Sequence, residues 1–157
     1  MDLKDSFEVS ADKSRVWSVV SDVNKFSKCL PDVTSISVDG DNFDLRFNPD
    51  VSKYTNKFLG ASYLSNINIK FQGGLSNKED QKHVEINGKG SAAGLKFSVL
   101  IKIDLEEKNS KIAVNWAATI EIGMLAKIFG ESVINDAIST TVKQIISCLQ
   151  NKIEKSA

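Results

Sequence analysis

Few side chains in this sequence belong to the types that carry out acid–base or nucleophilic chemistry. Among its 157 residues there is one histidine, His83, and there are two cysteines, Cys29 and Cys148. A nucleophile–histidine pair or a zinc site needs several such groups to converge, and this set is too small to build either. His83 directly precedes Val84 in an alternating segment, so we expect its ring on the solvent face of a strand. The sequence therefore disfavours an enzyme and predicts no catalytic residue, metal ion or cofactor.

The two cysteines are far apart in the chain and are not spaced as metal ligands. No basic segment followed by an apolar stretch precedes the first strand, so we expect no signal peptide. These features predict two reduced, partly buried thiols in a cytoplasmic protein. Whether Cys29 and Cys148 approach each other in the fold is left open by the sequence.

The charge balance argues against one class of partner. Twenty basic residues match twenty acidic ones, whereas a surface that binds nucleic acid usually carries an excess of positive charge. We therefore expect no nucleic-acid partner. The most apolar stretch, 112–129, is interrupted by Asn115, Glu121 and Lys127, which makes it a poor candidate for a membrane span.

The segment from Gly88 to Gly94 is rich in glycine and small residues and contains Lys89. A phosphate-binding loop has a Gly-Lys-Ser/Thr order and opens a helix, whereas this segment lies between two predicted strands. We expect a structural role, namely a bend or bulge that lets the sheet curl. The small residues are equally compatible with a cavity beside the sheet and with a tight backbone contact.

The elements that would position a binding site follow from hydrophobic periodicity. Odd positions from Leu95 to Leu105 and even positions from Ile112 to Ile122 are apolar, which predicts two long antiparallel strands with one buried face. Asp39-Gly40 indicates a hairpin, with a loop longer than two residues. Further strands are predicted around Leu3–Val9, Val33–Val38, Phe43–Phe47, Ile67–Phe71 and from Val84, with two short helices between Ser10 and Pro31 and an extended loop over Asn48–Ala61 that contains Tyr54 and Phe58.

The C-terminal segment is predicted to cover this sheet. Apolar residues recur at three- and four-residue steps from Leu125 to Ile153, which is typical of one amphipathic helix of about 30 residues. The whole chain, residues 1–157, is thus predicted to be a single α+β domain with a curved antiparallel sheet of about six or seven strands. Since one helix is about 10 Å across and cannot cover a wide, twisted sheet, we expect a pocket between them.

This pocket would be lined by apolar side chains of the inner sheet face and the C-terminal helix, each of which could also be an ordinary core residue. The predicted lining residues are Phe47, Ile69, Phe71, Phe97, Val99, Trp116, Ala118, Leu125, Phe129, Ile134 and Ile138, and the predicted entrance is formed by Cys29, Leu30 and Pro31. As a set they would form an apolar wall on which the indole N–H offers a polar group. The sequence therefore favours the binding of an apolar small molecule.

Three segments carry a family resemblance. The first is Ser6-Phe7-Glu8-Val9-Ser10-Ala11, followed by Val16-Trp17, Asp22 and Cys29-Leu30-Pro31-Asp32-Val33; the second is Gly90-Ser91-Ala92 ahead of a long strand; the third runs from Ile122-Gly123-Met124-Leu125-Ala126 to Gly130. Together they resemble the family of the G subunit of carbon monoxide dehydrogenase, the CoxG family. The third segment is similar to the family's Gly-x-Leu-Ala-x-x-Gly motif, with one extra residue before the final glycine. The resemblance covers most of the chain and is weakest from Asn48 to Ser62.

The resemblance implies the helix-grip fold of the START and Bet v 1-like (SRPBCC) superfamily. It also implies a non-enzymatic accessory role beside molybdenum-containing hydroxylases of the carbon monoxide dehydrogenase type, in a family linked to enzyme maturation, membrane recruitment and quinone handling. Our leading hypothesis is a cytoplasmic accessory protein that binds a quinone or lipid. Two alternatives stay open: an adaptor that binds no ligand, and a cyclase- or aromatase-like enzyme. Because the chain ends at Ala157, directly after the predicted helix, we expect any membrane contact to be peripheral and transient.

Overall fold

The computed structural model describes residues 1–49 and 67–155. Its strands are β1 (Asp2–Val9), β2 (Val33–Asp39), β3 (Asn42–Phe47), β4 (Ile69–Glu79), β5 (His83–Ala92), β6 (Leu95–Lys108) and β7 (Lys111–Glu121). They form one antiparallel sheet of seven strands in the order β1-β7-β6-β5-β4-β3-β2. The predicted α+β fold with a six- or seven-stranded antiparallel sheet is confirmed. The predicted loop with Tyr54 and Phe58 lies outside the described residues, apart from its first two positions.

Two short helices follow the first strand, as predicted. They are α1 (Lys13–Val20) and α2 (Val23–Phe26), and a 3-10 turn (Ser27–Cys29) continues from α2. The Asp12 carboxylate accepts a hydrogen bond from the backbone N–H of Arg15, and Asp22 accepts one from Asn24, each at 2.9 Å. These bonds satisfy N–H groups that have no partner within the first turn of each helix.

The C-terminal segment forms two helices rather than one. These are α3 (Leu125–Phe129) and α4 (Glu131–Lys155), so the prediction of one continuous helix is wrong at Gly130. This residue has φ of +87°, a conformation that glycine adopts without the steric cost of a Cβ. Its N–H bonds to the carbonyl of Ala126, and its own carbonyl accepts from Ile134. The junction therefore redirects the chain while keeping these backbone groups paired.

The register of the sheet confirms the alternation of the two long strands. Ile101 pairs with Ala118 and Ile103 with Trp116, so the odd positions of β6 and the even positions of β7 share one face. The turn between β2 and β3 differs from the prediction. Asp39 pairs with Asn42, which leaves a loop of two residues whose first, Gly40, has φ of +62°. This φ is typical of a type II′ hairpin turn, and the predicted longer loop is wrong.

The glycines of the central strands admit aromatic rings, and the predicted bend or bulge in this segment is wrong. The pairing of β5 with both neighbours is unbroken through Gly88 and Gly90. A Cβ at Gly88 would overlap the ring of Phe71, and one at Gly90 would lie 2.5 Å from Cζ of Phe97. The two rings stack on each other with centroids 6.1 Å apart. Close contact thus explains these glycines, since any larger residue would displace a ring.

The main hydrophobic core joins the sheet to α1 and to the last turns of α4. Its most buried members include Val16, Val84 and Ile153, each with 0% exposure. A second, smaller cluster contains Ile67, Ala92, Leu125 and Phe129. The far end of α4 is consequently fixed in the main core, whereas its beginning lies near the smaller cluster, next to Ile134.

Cys29 and Cys148 form a disulfide whose Cα atoms are 5.5 Å apart. The bond ties the 3-10 turn to α4, so the prediction of two reduced thiols is wrong. Because disulfides persist mainly in oxidising compartments, the expected cytoplasmic location loses one of its two arguments. Within the described residues, none of the helices has the length and apolar character needed to cross a membrane.

Candidate functional site

A cavity of about 350 Å³ lies between the sheet and the first half of α4. Its described lining residues are Leu30, Pro31, Asp32, Phe47, Pro49, Ile67, Ile69, Ala92, Phe97, Val99, Ile120, Ile122, Leu125, Phe129, Val133, Ile134, Ala137, Ile138, Thr141, Val142 and Ile145. Small-molecule sites typically have volumes of about 300–1,000 Å³, so this cavity is large enough for a modest ligand.

The roof of the cavity is the apolar stripe of α4 from Val133 to Ile145. Every lining residue of this stripe is only half-buried, and Ile153, far beyond it, is the fully buried residue of the helix. Apart from α3, the backbone of α4 approaches β1, α1 and the 3-10 turn most closely. The helix therefore rests on one edge of the sheet and leaves its stripe facing empty space above the central strands.

The wall is almost entirely apolar. Among the described lining residues, only Asp32 and Thr141 have polar side chains. Asp32 is exposed and its carbonyl accepts a hydrogen bond from the N–H of Asn48 at 3.0 Å. The side-chain oxygen of Asn48, between the lining residues Phe47 and Pro49, is buried and has no hydrogen-bond partner among the described residues. The site can thus remove apolar surface from water and offers one unpaired acceptor near its margin.

Acid–base or metal chemistry finds no support in this wall. It holds one carboxylate and no histidine among its described members, whereas acid–base catalysis needs paired groups within reach of the substrate. The described part of the chain contains no group of three or more histidine, cysteine, aspartate or glutamate residues arranged to hold a metal ion. The geometry therefore supports binding rather than reaction.

The structure brings most of the predicted site residues together in one wall. The predicted residues that line it are Phe47, Ile69, Phe97, Val99, Leu125, Phe129, Ile134 and Ile138, with Leu30 and Pro31 from the predicted entrance. Four predicted residues lie outside it: Phe71, Trp116, Ala118 and Cys29.

Each residue outside the wall has a specific location. Phe71 is buried, and its ring lies across Gly88 beside that of Phe97. Trp116 and Ala118 precede the lining residue Ile120 on β7 and pair with Ile103 and Ile101. The indole N–H of Trp116 is buried and has no hydrogen-bond partner in the described part of the chain. Cys29 is held in the disulfide.

Several lining residues were missed by the sequence analysis. They are Asp32, Pro49, Ile67, Ala92, Ile120, Ile122, Val133, Ala137, Thr141, Val142 and Ile145. The three- and four-residue spacing of α4 does place the helical members on one face. What the spacing lacks is the position of the helix along the sheet, which decides that residues up to Ile145 face the cavity and Leu149 and Ile153 face the core.

His83 lies on the outer face of the sheet, away from the cavity, as its alternation with Val84 predicts. Its Nδ1 is 2.7 Å from Asp104 Oδ1 and its Nε2 is 2.7 Å from Glu85 Oε2. The hydrogen bond to Glu85, followed by that to Asp104, raises the pKa of His83 above its ordinary value of 6.5. In turn, the hydrogen bond from His83, followed by that from Asn77, lowers the pKa of Glu85. This cluster is a surface ion pair that is strongest when the imidazole is protonated.

Comparison with known proteins identifies a family and a fold. The model of the family described as CoxG, the G subunit of carbon monoxide dehydrogenase, matches residues 6–154. No curated protein matches the chain in sequence.

Solved structures share the fold at low sequence identity. A conserved protein from Geobacillus kaustophilus has a TM-score of 0.80 and 14% identity, and the match covers 98% of this chain and 95% of that one. A protein from Rhizobium loti has a TM-score of 0.67 and 9% identity, with coverage of 97% and 96%. A protein from Thermus thermophilus has a TM-score of 0.63 and 11% identity, with coverage of 98% and 97%. At these identities the likeness shows the fold alone.

Proposed function

Because the chain belongs to the CoxG family of carbon monoxide dehydrogenase, we propose that it is a non-enzymatic accessory protein that binds an apolar small molecule in the cavity under α4. The observation that carries this proposal is the half-buried apolar stripe of the helix, which faces a space of about 350 Å³. A stripe of this kind is stabilised when an apolar ligand replaces water, at about 25 cal/mol per Å² of buried apolar surface before the costs of association.

The ligand class follows from the shape and polarity of the wall. Apolar side chains from the sheet, α3 and α4 surround the space, so the body of the ligand is a ring or chain without charge. The polar end of the ligand would lie toward Asp32 and Thr141, the polar side chains of the described wall. A quinone or a lipid-like molecule has this combination of an apolar body and one polar end.

The proposed partners follow from the family rather than from the cavity. An accessory protein of this family would act beside a molybdenum hydroxylase of the carbon monoxide dehydrogenase type, with transient contact at a membrane surface. Met124 and Ile128 are 53% and 47% exposed and lie on or directly before α3. An apolar pair of this kind on the surface favours a second candidate function, an adaptor that docks on a partner enzyme and holds no ligand.

The proposal is tested by extraction and by titration. Mass spectrometry of an organic extract from protein purified out of quinone-containing cells should detect a stoichiometric quinone or lipid. Titration of ligand-free protein with the same compound should saturate, as followed by the fluorescence of Trp17 and Trp116. An empty extract together with no saturable titration would favour the adaptor.

Two matched substitutions locate the binding site. Thr141 lines the cavity and the preceding Thr140 does not, so Thr141→Trp should fill the space while Thr140→Trp places the same indole outside the wall. We expect binding to weaken at least about tenfold, or 1.4 kcal/mol, in the first variant only. Equal affinity of the two folded variants and the natural protein would place the ligand elsewhere.

A further inference from the structure

We propose that the disulfide between Cys29 and Cys148 is a redox latch that holds α4 over the cavity and releases it when the bond is reduced. The part of this inference that concerns ligand exchange rests on the proposed function. The motion of the helix does not, because it depends on the positions of the cysteines alone.

The disulfide joins two segments that both belong to the cavity. Cys29 ends the 3-10 turn, and Leu30, Pro31 and Asp32, which follow it directly, line the wall. On the other side, Cys148 comes three residues after Ile145, the last lining residue of α4. The bond therefore fixes the roof of the cavity to one end of its wall.

The described anchors of the roof lie at its two ends. Beyond the disulfide, Ile153 is buried in the main core, and Gln150 Nε2 donates to the Glu8 carbonyl at 3.3 Å. Before the roof, the chain passes through Gly130, whose positive φ and open surroundings place little steric restraint on it. Between these points the lining residues of α4 are only half-buried. Loss of the covalent bond would thus leave residues 131–147 held mainly by partial apolar contacts, which is the condition for local opening.

The two sulfur atoms differ in their surroundings. Cys29 is 6% exposed, whereas Cys148 is half-buried. A thiolate of a dithiol reductant would attack the sulfur of Cys148, form a mixed disulfide there, and release Cys29 as a thiolate that takes up a proton. The second thiolate of the reductant then displaces Cys148, which is also protonated. Two electrons pass from the dithiol to the protein, and the reductant leaves as its own disulfide; a disulfide oxidant reverses the reaction.

A purely structural disulfide would have a different signature. A bond that closes a long loop acts mainly on the unfolded chain, so its reduction lowers the stability of the whole fold without favouring one segment. The latch instead predicts a local effect in the folded protein, confined to the roof and the adjoining α3. This difference makes the two roles separable by experiment.

The first experiment measures amide hydrogen exchange of the full chain with and without dithiothreitol, after mass spectrometry has shown that the untreated protein lacks free thiols. We expect amides of residues 131–147 to exchange at least about tenfold faster in the reduced protein, while those of residues 83–105 in the central strands keep their rates. The variant with both Cys29→Ser and Cys148→Ser should exchange like the reduced protein and ignore the reductant. Free thiols in protein purified under oxidising conditions, equal rates in both states, or a uniform increase across the sheet would overturn the latch.

The second experiment follows the release of anilinonaphthalene sulfonate, a fluorescent apolar dye, from oxidised and reduced protein. We expect release to be faster in the reduced state by at least about tenfold, in parallel with exchange of the roof. Dye that binds in both states with equal release rates would overturn the latch on the ligand. If the dye binds in neither state, cavity binding fails as a function, and hydrogen exchange still decides whether the helix is released.

Discussion

Replacement of Ala137 by leucine adds three carbon atoms to the roof of the cavity. Ala137 lines the space on α4 and is half-buried. In a packed core the larger side chain would overlap its neighbours, at a cost of about 1–3 kcal/mol. Above an unfilled cavity it instead finds room and buries new apolar surface.

The expected gain follows from the added carbon atoms. At about 0.8 kcal/mol per buried methylene, full burial of three carbons would add about 2.4 kcal/mol to the free energy of unfolding. Since residues of this stripe are half-buried, we expect about 1–2 kcal/mol, which for a chain of this length raises Tm by about 2–8 °C. Alanine and leucine have similar helix propensities, so the helix itself changes the balance little.

The assay is urea unfolding of ligand-free protein, followed by circular dichroism, with Ser139→Leu as the matched control. Ser139 is an exposed residue of the same helix, so its variant should stay within about 0.5 kcal/mol of the natural protein. A cavity that accepts leucine should also bind the apolar ligand more weakly, which gives stability and affinity opposite signs. Destabilisation by Ala137→Leu would show that the roof is already packed and would refute the reasoning.

Two further predictions concern the sheet. Gly88→Ala should lower the free energy of unfolding by about 1–3 kcal/mol because the new Cβ would overlap the ring of Phe71 and lie 2.6 Å from the backbone carbonyl of Gln72, whereas Gly74→Ala meets first the movable side chain of Asn42 and should be neutral; equal effects in denaturant titrations would contradict the ring contact. As the only histidine, His83 gives an unambiguous NMR titration, and we expect its pKa above 6.5; its stabilisation is therefore fully present below pH 6.5 and is lost as the pH rises through the raised pKa, so a His83→Gln variant should differ most in urea unfolding near pH 6 and least at alkaline pH, while a pKa at or below 6.5 would contradict the ion pair.

The parts of the fold that the sequence predicted well are those with a strong local period. The strict alternation of β6 and β7 predicted which residues share a face, and the register confirms it. The helical spacing after Leu125 likewise predicted the apolar stripe of α4. These patterns succeed because side-chain direction is set by the backbone geometry of a few neighbouring residues.

The parts that failed depend on contacts between distant segments. Nothing near Cys29 indicates that Cys148 will lie beside it, because 119 residues separate them in the chain. Gly88 was interpreted as a bulge because a glycine in a strand gives the same local signal whether it bends the strand or admits a ring from a neighbouring strand. In the same way, Trp116 has the correct face but lies outside the wall, since alternation fixes the face and leaves the position along the strand undetermined.

The order of the strands has a consequence for how the chain folds. From β2 to β7 each strand pairs with the next one in sequence, so this part can form by successive hairpins with short loop closures, apart from the long connection between β3 and β4. In contrast, β1 pairs with β7, where Leu3 lies opposite Ala118, and the core around α1 also needs Ile153. The contacts that complete the fold are thus the most distant in sequence, and such contacts slow folding. On a ribosome, the first strand made would remain unpaired until nearly the whole chain has emerged.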